Sequence, residues 1–290
     1  MGRQTRILAE GLYFGEGPRW RNGRLWFSDF HAHAVKSVSL AGDVRTEVEI
    51  DDQPSGLGWT PDGALLIVSM SRRQLLIRRD DGPPRVHADL GAVADFHCND
   101  MVVDALGRAY VGNFGFDLGA AIAARGVAAA LKDAPTARLA LVLPDGEVRT
   151  AAGDLHFPNG SVVTPDGSTL VVAETMASRL TAFDIAADGG LSNRRIWAPT
   201  PGPPDGIALD AAGAIWVASP AGGGCVRIAE GGDVLEAVDP GQPCYACMLG
   251  GEDGRTLFMM TAPPLGVDAA AAPMGRVSVA TVDVPHAGLP

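Results

Sequence analysis

Six times along the chain, a polar stretch closing on glycine gives way to an alternating or wholly apolar run. The instances are WRNGRLWFSD (20–29), TPDGALLIVS (60–69), DALGRAYVGN (104–113), TPDGSTLVVAE (164–174), DAAGAIWVAS (210–219) and GEDGRTLFMM (251–260). Each reads as a tight turn followed by a strand. The turn glycines are Gly23, Gly63, Gly107, Gly167, Gly213 and Gly254, at spacings of 40, 44, 60, 46 and 41 residues. Short strands repeating every 40–50 residues or so predict a propeller, because a unit that cannot bury both faces of its own sheet stacks against its neighbours around an axis. The pattern therefore predicts an all-β fold, a six-bladed β-propeller, forming one domain over residues 1–290.

One interval breaks the rhythm. Residues 114–137, FGFDLGAAIAARGVAAALKDAPTA, are rich in Ala and Gly, and 118–132 has the composition of a short helix. Loops accept such insertions at small entropic cost. Its place in the repeat suggests a lid instead.

Composition narrows the function. The chain has 290 residues, 37 of them glycine, and a formal net charge of −11. An acidic chain without a basic stripe does not suit nucleic acid or anionic lipid. No run approaches the roughly 18 apolar residues of a membrane span, and MGRQTRILAEGLYFGEGP lacks a signal-peptide core, so a cytoplasmic protein is expected. Cys244 and Cys247 form a lone C-x-x-C without a second pair. With Cys98 and Cys225 they are expected to be buried, reduced thiols.

The turn glycines also serve as a ruler. Eight residues before each lie Ser55, Asn99, Asn159, Asp205 and Ala246; in the first unit the matching polar residue is Glu16, seven back. Their contexts agree: EGP, CND, PNG, PDG. If the strand before the turn is the innermost of each blade, Glu16, Asn99, Asn159 and Asp205 all point at the axis. Converging oxygen acceptors are costly to desolvate, and a divalent cation removes that cost. Two carboxylates and two amides suit one Ca²⁺, with Mg²⁺, Mn²⁺ or Zn²⁺ as alternatives. Asn before Gly is also a common turn former, so each position alone is bland; the shared register gives the set its meaning.

These residues carry a resemblance. EGPRW with Glu16, CNDMVVDALGRAYVGN with Asn99, FPNGSVVTPDGSTLVVAET with Asn159 and PDGIALDAAGAIWVAS with Asp205 resemble the senescence marker protein / gluconolactonase / luciferin-regenerating enzyme family of six-bladed propellers. SRLTAFDIAADGGLSNRR (178–195) and MLGGEDGRTLF (248–258) resemble it too. The resemblance implies a metal-dependent lactonase; related propellers hydrolyse organophosphates. It implies that Glu16, Asn159 and Asp205 bind the metal directly, and that Asn99 lies at metal and substrate. Sugar-lactone members often carry Arg two residues before the Asn99 position. Here that residue is His97, which offers at most two donors in place of a five-donor fork. The change points away from a sugar-acid lactone.

Loops following the second strands should surround the mouth, starting at Phe30-His31, Met70, Phe114, Thr175-Met176, Pro220 and Ala262. Phe30, Met70, Phe114, Phe116, Met176 and Leu265 make that rim mostly apolar, as small-molecule sites usually are. Phe30, Phe114 and Met176, with His97 and Asn99, are the expected substrate contacts. The expected reaction is hydrolysis of a lactone or related ester: the cation polarises the carbonyl, and Asp205 or His97 acts as general base. Asp100 should face away from the axis. His31 and His33 read as a loop pair, His156 has no evident partner, and Glu174 reads as a salt-bridge residue. A phosphotriester hydrolase and a non-catalytic binding propeller are the alternatives. Nothing in the sequence sets the oligomeric state.

Overall fold

The computed structural model describes residues 3–132, 134–221 and 224–288. Among these, the strands form six antiparallel sheets of four, the blades of a β-propeller. The innermost strands are Gly15–Arg21, Pro54–Trp59, Cys98–Val103, Pro158–Val163, Ile207–Leu209 and Cys244–Gly250. Each packs against the innermost strand of the next blade, closing a ring around an axis. Burial grades outward: Pro158–Val163 is buried along its whole length, whereas the outermost strand Val44–Glu49 is mostly exposed. The continuous apolar runs after the turn glycines are the second strands, such as Leu65–Ser69 and Ile215–Ser219, each buried along its whole length.

All six turn glycines have positive φ, between 72° and 90°. A Cβ is strongly disfavoured there, which is why the punctuation is so regular. Adjacent blades share apolar layers. Val162, Val171 and Ala173 of the fourth blade, for example, pack against Ile207, Ile215 and Val217 of the fifth.

The local pattern does not foretell ring closure. Arg6–Leu12, ahead of the first repeat, is the outer strand of the last blade, where it pairs antiparallel with Gly275–Thr281. The pairing covers a sheet edge and staples the two ends of the chain. Arg3 reinforces it with ion pairs to Glu236 and Asp283.

The insertion contains two short helices, Leu118–Arg125 and Val127–Lys132, separated at Gly126, whose φ is 74°. Asp117 caps the first, accepting from the Ala120 N–H at 2.8 Å. A second excursion, 262–274, joins Thr256–Thr261 to Gly275–Thr281 and exposes Leu265, Val267 and Met274. Both excursions leave from the end of a second strand, so they share one face of the ring. They rise from the third and sixth blades, on opposite sides of the axis.

The second strands end in buried polar clamps. Glu174 is fully buried; it accepts from Arg179 Nε at 2.9 Å, Arg194 at 3.1 Å, the His156 N–H at 2.9 Å and the Thr181 hydroxyl. Asp29 likewise accepts from the Phe14 N–H at 2.9 Å and Lys36 Nζ at 2.7 Å. Burial alone would raise the Glu174 carboxyl, but its donors outweigh burial and hold it below the usual carboxylate range. Its depressed pKa therefore contributes stability above the unfolded value, near 4.3, and that stability is lost as pH falls through the folded value. Glu174→Gln should cost about 3 kcal/mol at pH 7. In urea unfolding, the gap to the parent protein should narrow toward pH 3; a gap independent of pH would assign the loss to packing instead.

Candidate functional site

A register shift marks nearly every inner strand at the same height. It falls between Glu16 and Arg19, Pro54 and Leu57, Cys98 and Met101, Pro158 and Ser161, and Cys244 and Ala246. In the fifth blade Asp205 and Gly206 occupy this level, just before Ile207–Leu209. A bulge re-aims side chains. Here it falls on Glu16, Ser55, Asn99 and Asn159, the positions picked out by counting back from the turn glycines.

The sixth blade departs from that count. Cys244 pairs with Thr261 as Cys98 pairs with Asn113 and Pro158 with Glu174, so the matching residue is Tyr245. Ala246 instead matches the residue after the ring position; a Cβ on Gly206 would lie 2.7 Å from Ala246 Cα. The ring therefore reads Glu16, Ser55, Asn99, Asn159, Asp205, Tyr245.

The four oxygen-bearing residues singled out from sequence are nearly closed off from solvent: Glu16 is 4 % exposed, Asn99 5 %, Asn159 3 % and Asp205 8 %. Burial raises the Glu16 carboxyl well above its usual range; the charges of Asp205 and Asp100 raise it further, against the Gly17 N–H. Burial also raises Asp205, followed by the charge of Asp100, while a hydrogen bond from Asn159 opposes the rise. The Asn159 amide nitrogen donates to Thr175 Oγ1 at 3.2 Å, but its Oδ1 is buried without a hydrogen-bond partner. Ser55 Oγ is similarly orphaned. Crowded, desolvated carboxylates beside an unpartnered amide oxygen form a donor set suited to a hard cation. No group of three or more His, Cys, Asp or Glu suited to a metal occurs among the described residues; this donor set is half amide.

Asp100 departs from its expected outward orientation. It is 3 % exposed, and its Oδ1 lies 3.1 Å from an Arg19 guanidinium nitrogen reaching over from the first blade.

Aromatic groups line the mouth in two arcs. Phe30 stacks on Phe14 at 5.2 Å, and Phe14 packs on Tyr245 at 4.6 Å. Opposite, Phe96 stacks on His97 at 4.1 Å, His97 faces Phe114 at 6.3 Å, and Phe114 packs on Phe157 at 4.6 Å. Burial lowers the His97 imidazole below its ordinary value, against the charges of Asp52 and Asp117, and so favours its neutral form. Met176 lies half-buried on the Thr175–Ala177 turn that follows Glu174. Met70 is 3 % exposed, and its backbone bonds both Gln53 and Cys98, at the entrances to the second and third inner strands. Sequence reasoning missed Phe14, Phe96, Phe157 and Tyr245. Phe157 has φ 59°, an uncommon conformation for a bulky residue, two positions before Asn159.

The remaining groups stay apart from the ring. His33 Nδ1 bonds the Asp52 carbonyl and His31 meets Gln53, so HAH does not converge on one ion. The four cysteines are buried and free. Recesses of about 530 Å³ beside Arg3–Arg6 and about 280 Å³ between Trp20 and Trp59 contain none of the ring residues.

The family described as SMP-30/Gluconolactonase/LRE-like region matches residues 14–263, most of the propeller. The chain belongs to that family. Pentonolactonase XacC of Haloferax volcanii is 28% identical over 268 residues, covering 89% of this chain and 84% of the relative. A solved luciferin-regenerating enzyme superposes with a TM-score of 0.82 at 20% identity, covering 98% of this chain and 97% of that one. A calcium-binding regucalcin from Agrobacterium tumefaciens gives a TM-score of 0.81 at 23% identity, covering 99% and 97%. At such identities the solved structures share the fold with this family member. Within the ring, Gly160 is a sensitive point, since a Cβ there would lie 2.5 Å from the Asp205 carbonyl. Gly160→Ala should force the fourth and fifth inner strands apart at a cost of about 1–3 kcal/mol. A chemical-denaturation midpoint equal to the parent's would contradict that close approach.

Proposed function

We propose that this chain is a divalent-metal-dependent hydrolase that opens the ring of a lactone less polar than a sugar lactone. Glu16, Asn99, Asn159 and Asp205, at one level of four blades and all nearly closed off from solvent, support the reading, and the buried Asn159 Oδ1 without a hydrogen-bond partner is the observation that carries it. A protein-binding scaffold has no use for such a set. Lactonase activity in relatives such as pentonolactonase XacC supports the reaction class, and the calcium-binding regucalcin supports the choice of ion.

Glu16, Asn159 and Asp205 would hold the ion, with Asn99 at the ion and the substrate. When bound, the ion supplies a positive centre that polarises the lactone carbonyl and stabilises negative charge on its oxygen. Asp205 takes the proton from the attacking water. It sits at the ring, whereas His97 lies among the wall aromatics, stacked on Phe96 at 4.1 Å and facing Phe114. His97, kept neutral, orients the substrate by hydrogen bonding. Phe30, Phe114 and Met176, together with Phe14 and Phe157, exclude water and favour an apolar ring or side chain. The helices within 118–132 serve as a lid over this wall.

Ca²⁺ added to chelator-treated protein should raise its melting temperature, and EDTA should abolish turnover reversibly. Asn159→Ala and Asp205→Ala should each lose the calcium-induced shift and at least about a hundredfold in kcat/KM. A folded variant with full activity would refute the assignment. A panel of aliphatic, aryl-substituted and sugar lactones should favour the less polar members, with a phosphotriester included as competitor. Removing 118–132 should change the ranking within that panel while the fold survives; an unchanged ranking would rule out a lid.

A further inference from the structure

Below the ring, inner strands approach one another too closely for side chains. The residue after the ring position is Gly17, Gly56, Gly160, Gly206 and Ala246 in five of the blades. A Cβ on Gly56 would lie 2.4 Å from the Met101 nitrogen, and one on Gly17 2.8 Å from the Ser55 carbonyl. The third blade alone places a long polar side chain at this level, Asp100. Its partner Arg19 stands three residues beyond Glu16 and is 4 % exposed. One guanidinium nitrogen donates to Asp100 Oδ1 at 3.1 Å and to the Met101 carbonyl; the other terminal nitrogen donates to the Pro18 carbonyl at 2.7 Å. Arg19 Nε has no partner. The side chain thus links the inner strand of the first blade with that of the third, two blades on.

A plug that merely fills space has no need of charge. Hydrocarbon of similar volume serves as well or better, since desolvating an ion pair is costly. Ring closure is already secured by Arg6–Leu12 pairing with Gly275–Thr281. The reason for the pair therefore lies above it. Fully ionised, Glu16, Asp205 and Asp100 would carry three negative charges against one positive on Arg19, a formal sum of −2, which one divalent ion cancels. Asp100 directly follows the ring residue Asn99, and its Oδ1 is held at 3.1 Å by Arg19 from the first blade.

We propose that Asp100 and Arg19 form a charge-setting floor beneath the oxygen ring: Asp100 supplies the third negative charge that draws a divalent cation, and Arg19 holds Asp100 in place. The inference rests on the metal-centre reading above. Both are positioning residues, because neither is placed among the ligands.

Full-length protein stripped with EDTA and titrated with Ca²⁺ by calorimetry, with melting temperatures recorded in parallel, tests the proposal. Asp100→Asn should weaken Ca²⁺ binding about tenfold or more, with little loss of melting temperature in EDTA. Arg19→Met should do the opposite: the metal-free protein melts lower, but Ca²⁺ binds as tightly as in the parent or more tightly, so its stabilising shift grows. If Arg19→Met does not fold, Arg19→Lys keeps the charge and should retain parental Ca²⁺ affinity. A purely mechanical plug would lower both melting temperatures and leave Ca²⁺ affinity within twofold, which overturns the floor while the metal centre stands. A parent protein that binds no Ca²⁺ overturns both readings.

Discussion

The close approach of inner strands at the axis governs the molecule. Gly17, Gly56, Gly160 and Gly206 let neighbouring backbones meet at distances that a methyl group would block. The bulges above them turn one side chain per blade toward the centre. Packing therefore dictates geometry before chemistry enters. Whatever occupies those positions is desolvated and crowded, and Glu16 beside Asp205 pays the electrostatic penalty.

Such a centre needs a frame that resists it. Buried carboxylates in close company favour opening, so the frame must hold by other means. The N-terminal strand sews the last blade shut, and Glu174 and Asp29 tie second strands to the segments that lead into inner strands. These clamps sit beside the mouth yet are satisfied within the protein, Glu174 by two arginines, a hydroxyl and a backbone N–H. Ring and clamp differ in this respect: the clamp's oxygens have found their donors, whereas Asn159 Oδ1 has not.

Much of this was legible in the residues, for a physical reason. A tight turn that requires positive φ selects glycine, so all six turn glycines stand out and their spacing exposes the blades. Counting back from them reaches the ring wherever strand and turn keep one length. The first blade is a residue shorter because Asn22 and Gly23, both at positive φ, make a two-residue hairpin between Arg21 and Arg24. The sixth is a residue longer, Cys244–Gly250, so the count lands on Ala246 and misses Tyr245. Long-range partners left no local mark: Arg6–Leu12 joins a strand about 270 residues away, and Asp100 turns inward because Arg19 awaits it. Phe157 was hidden because its orientation depends on a left-handed backbone that its residue type argues against.

The two halves of the site answer to different constraints. Ring positions are fixed by backbone contact on both sides, so their side chains cannot drift without moving a neighbouring blade. The wall is built from loops and strand entrances: Phe30 and Met176 on short turns, His97 before an inner strand, Phe114 at the root of the insertion. Each turn is tied to the entrance of its own blade's inner strand, Phe30 N–H to Phe14, Phe114 N–H to His97 and Met176 N–H to His156, rather than to a neighbouring blade. On the lactonase reading proposed above, such a wall would carry the choice of substrate while the ring stays fixed. On that reading His97, flanked by Phe96 and Phe114 with Phe157 behind, would bear on what the mouth accepts and leave the oxygen ring untouched. Phe157 is where the two meet: its backbone enters the inner strand that carries Asn159, and its ring belongs to the wall. The strain at its φ of 59° thus lies where the inner strand that carries Asn159 meets the aromatic wall.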